Sequence, residues 1–141
     1  MIRRRDTRGF SLIELLLVLV IMGILSGIAV PAFMSQRKRA RIIGDAQSNA
    51  QVLRMQMESY KADAGVYGGA GSSFTWYGAS VPTTGAGAAY NFTPKGNSAM
   101  KFVTTIGSTG LTYTIQVQDP SYNNYVVYTV NQAGSAVISK Y

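Results

Sequence analysis

The chain has 141 residues, 47% of them hydrophobic, which suits about one small domain and is too apolar for a wholly disordered protein. It contains no cysteine and no histidine, so it offers no disulfide and lacks the commonest metal ligand and general base. The net charge of +7 is concentrated before Ile42, where eight of the thirteen Lys and Arg lie, which favours a membrane role over DNA binding.

The first predicted element is a long apolar segment, Phe10 to Met34, which follows a short basic leader at residues 1–9. Glu14 is its only charged residue. As a helix with a rise of about 1.5 Å per residue, this segment is long enough to cross a bilayer core of about 30 Å. Basic residues lie on both sides of the segment, so their count leaves its orientation open; those that follow it are Arg37, Lys38, Arg39 and Arg41.

A removable secretory signal is an alternative interpretation of the same segment. A positively charged start precedes an apolar run, and Gly27-Ile28-Ala29 resembles a small-x-small cleavage site. Against this interpretation, the apolar run continues beyond that site and its acid lies at the very start.

A helical period continues beyond the apolar segment to about Lys61. Its apolar residues recur at intervals of three and four; they are Ile42, Ile43, Ala46, Ala50, Leu53, Met57 and Tyr60. We therefore predict one long helix from about Phe10 to about Lys61, apolar all round in its first half and amphipathic in its second.

The rest of the chain predicts a loop region followed by a sheet. Residues 63–99 are rich in Gly, Ser and Thr and predict loops, with Phe74 to Tyr77 as a candidate short strand. Four later segments have strand composition and are joined by short turn sequences; they are Lys101–Ile106, Leu111–Gln118, Tyr125–Asn131 and Ser135–Tyr141. In the second, alternation predicts one buried face formed by Leu111, Tyr113, Ile115 and Val117.

The predicted fold is therefore α+β. A β-meander of about four strands at residues 100–141 packs on the amphipathic helix half at residues 35–62. Residues 35–141 form a globular head, and residues 10–34 form the membrane-spanning half of the helix.

Glu14 needs an explanation, because a carboxylate within a membrane helix is costly. One interpretation is local: Ser11 to Glu14 fits the S-x-x-E capping box, and an acid near a helix N-terminus is favoured. The other interpretation is that proteolytic processing supplies a cation with which Glu14 can pair. Cleavage between Gly9 and Phe10 creates an α-amino group, with a reference pKa of about 7.7 to 8.0, four residues from Glu14. That amine can pair with Glu14 of its own chain or of a neighbouring chain.

The leader and the apolar segment resemble the class III signal peptides of type IV pilins and type II secretion pseudopilins. The resemblance covers about Arg8 to Met34, and the residues at the family's spacing are Gly9, Phe10, Glu14, Gly23 and Pro31. It implies that a membrane prepilin peptidase cuts between Gly9 and Phe10 and methylates the new amine of Phe10. It also implies that Glu14 guides assembly by contacting Phe10 of a neighbouring subunit.

The resemblance implies a function in a filament. The chain would be a structural subunit of a type IV pilus, a helical homopolymer with roles in adhesion, motility or secretion. Its precursor would lie in the inner membrane with the leader in the cytoplasm, and an assembly platform there would build the extracellular filament. The helix between Gly23 and Pro31, including Gly27, would kink or melt in the filament; simple tolerance of helix breakers in a membrane segment is the alternative.

Two departures bear on the branch of the family. The chain lacks the cysteine pair that closes a loop in many type IV pilins, and its nearest equivalent to a pseudopilin calcium loop, Gln118 to Asn124, has one carboxylate, Asp119. We therefore interpret that loop as a turn and favour a pilin. The alternatives are a major pseudopilin of a type II secretion system and a monomeric membrane-anchored binding protein.

The inventory of acids does not favour an enzyme. The predicted head has as acids only Asp45, Glu58, Asp63 and Asp119, without a paired-carboxylate, nucleophile-elbow or phosphate-loop pattern. We predict no catalytic residue, cofactor, metal site or specific nucleic-acid binding.

Overall fold

The structure, a computed structural model, describes residues 9–78, 90–96 and 100–139. The predicted leader before Gly9, parts of the Gly-rich region and the last two residues of the strand predicted at Ser135–Tyr141 lie outside the described residues. The chain divides into two compact units between Arg39 and Ala40.

The long helix, α1, runs from Leu12 to Ala64 and has 53 residues, which confirms its prediction. It ends at Gly65, whose φ of 79° is a left-handed conformation that glycine adopts without steric cost. The Gly65 N–H donates to the carbonyl of Lys61 at 2.8 Å, the single bond of an αL C-terminal cap. A lysine in the last turn also complements the helix dipole.

The sheet is a five-stranded antiparallel meander in the order β1-β2-β3-β4-β5. A short 3₁₀-helix, Pro120–Tyr122, joins β3 to β4. The strands are β1 Ser73–Tyr77, β2 Lys101–Ile106, β3 Tyr113–Asp119, β4 Tyr125–Asn131 and β5 Ala136–Ile138. With α1 packed on this sheet, the predicted pilin-like α+β fold is confirmed.

The strands differ from the prediction in two places. The candidate strand in the Gly-rich region forms as β1, which pairs with β2 and sets Trp76 opposite Phe102, so the sheet has five strands and not four. Leu111 was expected on the buried face, and this was wrong, since it is 50% exposed. It lies before β3, directly after Gly110 with a φ of 70°, where the chain is still turning.

The core of the head lies between α1 and the sheet. The helix positions predicted to face it are confirmed: Ile42, Ala46, Ala50, Leu53 and Met57 are buried, and Ile43 and Tyr60 pack against them partly buried. On the sheet side, the rings of Trp76, Phe92 and Phe102 make successive edge-to-face contacts, with centroids 5.7 and 5.3 Å apart. Each fully buried large side chain contributes about 1.5 to 3 kcal/mol, so this cluster stabilises the head.

Candidate processing and assembly site

The residues around the predicted cleavage site precede the helix and are exposed. Gly9, Phe10 and Ser11 have no regular secondary structure, and the Phe10 side chain is 78% exposed. A Cβ added at Gly9 would meet nothing within 4 Å, so the described residues do not require glycine there. Exposed, irregular segments are good protease substrates, and the Gly9–Phe10 bond lies in such a segment.

Glu14 caps the start of α1. Its Oε2 accepts a hydrogen bond from the backbone N–H of Ser11 at 2.9 Å. The carbonyl of Ser11 accepts from the N–H groups of Glu14 and Leu15 at 3.1 and 3.3 Å. Ser11 is therefore the N-cap and Glu14 the third helical residue, so the carboxylate makes the backbone contact of a capping box. The local interpretation of Glu14 is confirmed.

The cap leaves Glu14 with capacity for a second partner. A carboxylate has about four lone-pair sites, and the bond to Ser11 uses one of them. The side chain is exposed, and Phe10 is the residue immediately before Ser11. Cleavage would thus create an amine on Phe10, the neighbour in sequence of Ser11, whose N–H already binds the Glu14 carboxylate. Capping and pairing with an amine are compatible roles.

The first part of α1 presents an apolar surface. All residues from Gly9 to Arg41 are exposed, and α1 contains an 18-residue window that is apolar enough to cross a membrane and 0% buried. An apolar surface of this extent requires lipid or protein to cover it.

The helix breakers of this segment lie within the helix. Helix α1 continues through Gly23, Gly27 and Pro31. A Cβ added at either glycine would meet nothing within 4 Å. The chain's own described packing therefore gives no reason for glycine at these positions. Pro31 removes the N–H that would bond the Gly27 carbonyl, and the kinking or melting expected here stays a prediction.

Asn49 joins the helix to the segment before β2. Its side-chain oxygen accepts from the Lys95 N–H at 2.8 Å, and its Nδ2 donates to the Lys95 carbonyl at 2.6 Å and to the Asp45 carbonyl at 2.8 Å. Asn49 is 6% exposed. This residue is not predicted from the sequence pattern, because it is polar. The available signal was its place between Ala46 and Leu53 on the apolar stripe.

A second network joins α1 to β3 through Glu58. The Tyr67 hydroxyl donates to Glu58 and lies 2.8 Å from both carboxylate oxygens, and the Tyr113 hydroxyl donates to Oε1 at 3.2 Å. Burial, with a smaller contribution from the hydrogen bond to Glu58, raises the pKa of Tyr67 to about 12. Burial also raises the pKa of Tyr113 above its usual value. These hydroxyls remain protonated donors at neutral pH, so the network has a structural role.

The loop between β3 and β4 is a turn, as predicted. Asp119 is 1% exposed, and its Oδ1 accepts from the Ser121 N–H at 2.9 Å, which caps the 3₁₀-helix. Asn123 and Asn124 follow with φ of 52° and 57°, in the left-handed region that asparagine tolerates. The single carboxylate of this loop is thus engaged with its own backbone.

Comparisons with known proteins include a family match at the start of the chain. Residues 4–30 match the model of the prokaryotic N-terminal methylation motif. The chain is 35% identical over 65 residues to type II secretion system core protein G of Pseudomonas aeruginosa, covering 46% of this chain and 45% of that protein. It is also 32% identical over 65 residues to the type IV wide pilus major component of Thermus thermophilus, covering 42% of this chain and 50% of that protein.

The core protein G of Klebsiella michiganensis is 35% identical over 68 residues, with 46% of this chain and 45% of that protein covered. The chain thus spans about half the length of these three relatives, 45% to 50%. No solved structure matches it. The chain therefore carries a prepilin-type N-terminal methylation motif and is homologous to type II secretion core protein G and to a type IV pilin.

Proposed function

We propose that the chain is the precursor of a filament subunit and that the filament is a type IV pilus. One observation supports this proposal: a single acid, Glu14, lies in the first turn of an exposed apolar helix, four residues after Phe10 and its exposed bond to Gly9. Lipid acyl chains cover an apolar helix well but offer no partner for a carboxylate. A filament of identical chains supplies that partner.

The first step is cleavage by a prepilin peptidase. Water adds to the carbonyl carbon of Gly9 and the bond to the Phe10 nitrogen breaks, which leaves a carboxylate on Gly9 and an amine on Phe10. The peptidase then transfers a methyl group from a sulfonium donor to that amine, which loses a proton. The mature chain would begin at methylated Phe10, and the four arginines of the leader would be removed.

The second step is docking. The cationic amine of one subunit contacts Glu14 of a neighbour, whose carboxylate is held at the helix start by the N–H of Ser11. In an apolar environment an unpaired charge has a high desolvation cost. The attraction between the amine and the carboxylate offsets that cost when the two groups pair. The contact therefore favours one register between neighbouring helices.

The two parts of the chain would have different roles. Residues 10–34 would anchor the precursor in the inner membrane and then form the filament core, whereas residues 35–141 would form the head on the filament surface. The partners would be other copies of the chain, the prepilin peptidase and an assembly platform in the inner membrane.

A pseudopilus of a type II secretion system is the second candidate. The matches to core protein G from Pseudomonas aeruginosa and Klebsiella michiganensis favour it. The turn at Asp119 favours the pilus, because its one carboxylate already caps the 3₁₀-helix. Deletion of the gene for this chain in its host distinguishes the two functions. Loss of surface filaments with intact protein secretion identifies a pilin, and loss of secretion identifies a pseudopilin.

Processing can be tested with a matched variant. The full chain is expressed in membranes with and without a prepilin peptidase, and its intact mass is measured beside that of Gly9→Val. We expect the wild type to lose residues 1–9 and gain one methyl group, and the variant to keep its leader. Since a Cβ at position 9 meets no atom within 4 Å, the variant's fold is unaffected. An unprocessed wild type would contradict the proposal.

A further inference from the structure

The sheet of the head has a second face, on the side away from the core. Alternate residues of a strand point to opposite faces, and in β2 and β3 every second residue is buried. The residues between them are exposed or half-buried, and the strand registers set them in rows across the sheet. We call six of them the outer sheet face: Thr75, Val103, Gln116 and Thr129 in one row, and Tyr77 opposite Lys101 in the next.

The outer sheet face is almost free of charge. Strands β1 to β5 contain one acid, Asp119, which is 1% exposed, and one basic residue, Lys101. The Lys101 ammonium lies over the ring of Tyr77, 5.4 Å from the ring centroid. A single lysine gives little affinity for a polyanion such as nucleic acid, which needs several phosphate contacts. The face also presents no carboxylate to a cation, so its partner should be neutral.

Hydroxyl and amide groups on this face are available to a ligand. The structure shows no hydrogen bond from the side chains of Thr75, Gln116 or Thr129 to another described residue. A threonine hydroxyl and a glutamine amide each both donate and accept hydrogen bonds. A ligand made of hydroxyl groups has the same double capacity. The middle row of the face therefore suits a hydroxyl-rich molecule.

Tyr77 adds an aromatic surface at one end of the face. Its side chain is 59% exposed. A tyrosine ring combines an apolar body with a polar hydroxyl. A sugar ring is similar, since its C–H groups form apolar patches between its hydroxyls, and the two can stack. A protein partner fits less well, because the core of a protein interface is apolar and Val103 lies between polar neighbours, Thr75 and Gln116.

We propose that the outer sheet face binds a neutral polysaccharide, whose hydroxyls bond to the threonine and glutamine side chains and whose rings stack on Tyr77. Neighbouring strands lie about 4.8 Å apart, so the row from β1 to β4 extends over roughly 14 Å. A polymer of hydroxyl-bearing rings can contact several side chains of such a row together. The inference goes beyond the proposed function and does not depend on it, because the strands of the head form this face in a pilin and a pseudopilin alike.

Retention on insoluble polysaccharides tests the proposal with the full chain. The chain is kept in a polyoxyethylene detergent, because a detergent with a sugar headgroup would compete. It is incubated with cellulose, starch, mannan or chitin, and with immobilised heparin as an anionic polymer. The bound fraction is measured as salt is raised from about 0.1 M to about 1 M, over which the screening length falls from about 10 to 3 Å.

We expect retention on at least one neutral polysaccharide, unchanged by salt, because contacts between uncharged groups are not screened. Retention on none of them, or on heparin alone, would overturn the inference. Retention on a neutral polysaccharide that is lost as salt rises would also overturn it, because the basic residues would then be responsible. None of these outcomes depends on cleavage after Gly9 or on filament formation, so they leave the proposed function untouched.

Two variants assign the binding to this face. We expect Gln116→Ala and Tyr77→Ala each to weaken retention at least about threefold, since one removes hydrogen bonds and the other a stacking surface. Gln56→Ala, at a half-buried position on α1, is the matched control and should bind as the wild type does. The fluorescence of the buried Trp76 checks that each variant is folded. Folded Gln116→Ala and Tyr77→Ala chains that bind as the wild type does would overturn the inference.

Discussion

The carboxylate of Glu14 accepts a hydrogen bond from the backbone N–H of Ser11 at 2.9 Å. The acid thus caps its own helix before any partner arrives, and its geometry is set by a bond that remains after the leader is removed. A charge held in this way is a defined target for the amine of a neighbouring chain.

Glu14→Gln separates the cap from the charge. Glutamine at the third helical position also serves in a capping box, so the helix start should be retained, whereas the pairing with an amine is lost. We expect processing to continue and filament yield to fall at least about tenfold, because an unpaired amine in an apolar environment is costly. Filaments are counted by electron microscopy, beside a Ser35→Gln control. Normal yield with Glu14→Gln and loss with Glu14→Ala would mean that the acid acts only as a cap.

Gly27→Leu tests close helix packing in the filament. The described chain has nothing within 4 Å of a Cβ at this position, so the precursor should be made, inserted and processed normally. Assembly should fall at least about fivefold, because a large side chain would hold neighbouring helices apart. Ala29→Leu, on another side of the same turn, is the matched control. Equal yields for the two variants would show that Gly27 is merely tolerated.

Asn49→Ala should destabilise the head. The substitution leaves the N–H and carbonyl of Lys95 without the partner that now binds both. An unsatisfied buried polar group costs about 1 to 3 kcal/mol, so we expect the free energy of unfolding to fall by about 2 to 4 kcal/mol. Urea unfolding of the full chain in detergent is followed by the fluorescence of Trp76, the single tryptophan, which is buried. Ser48→Ala, an exposed neighbour, should change little.

The Tyr67 hydroxyl should make the head sensitive to alkali. The pKa of Tyr67 is raised from 10.0 to about 12, so the folded chain holds this proton more tightly than the unfolded chain. The resulting stability is fully present below pH 10 and is lost as the pH rises towards 12. We expect the urea midpoint to fall over this range and Tyr67→Phe to reduce the fall, whereas Tyr77→Phe, at a ring 59% exposed, should not. An identical pH profile for Tyr67→Phe would contradict this assignment.

Much of the fold was predictable from local patterns. The long helix, its buried positions from Ile42 to Met57 and the alternation of β3 depend on periods of 3.6 and 2 that the sequence carries directly. Strand β1 was harder to predict because its neighbours are Gly-rich and its partner, β2, lies more than twenty residues away. Leu111 was placed wrongly because the alternating sequence begins at Leu111, directly after the turn at Gly110, whereas strand β3 begins only at Tyr113.

The candidate site was predictable in part. Gly9, Phe10 and Glu14 stand out because a lone acid in an apolar segment is expensive and has few explanations. The bonds of Asn49 to Lys95 and of Glu58 to Tyr67 were not predictable, since they join polar residues across loops whose path local patterns do not specify.

We propose that Gly9 is the last residue removed and that Phe10 is the first residue of an assembled subunit. The most direct test is the intact mass, with N-terminal fragmentation, of the chain from sheared cell-surface filaments. We expect one species that begins at Phe10 and carries one methyl group on its amine. A chain that retains residues 1–9, or that begins after Ala29 as an ordinary secreted protein would, contradicts it.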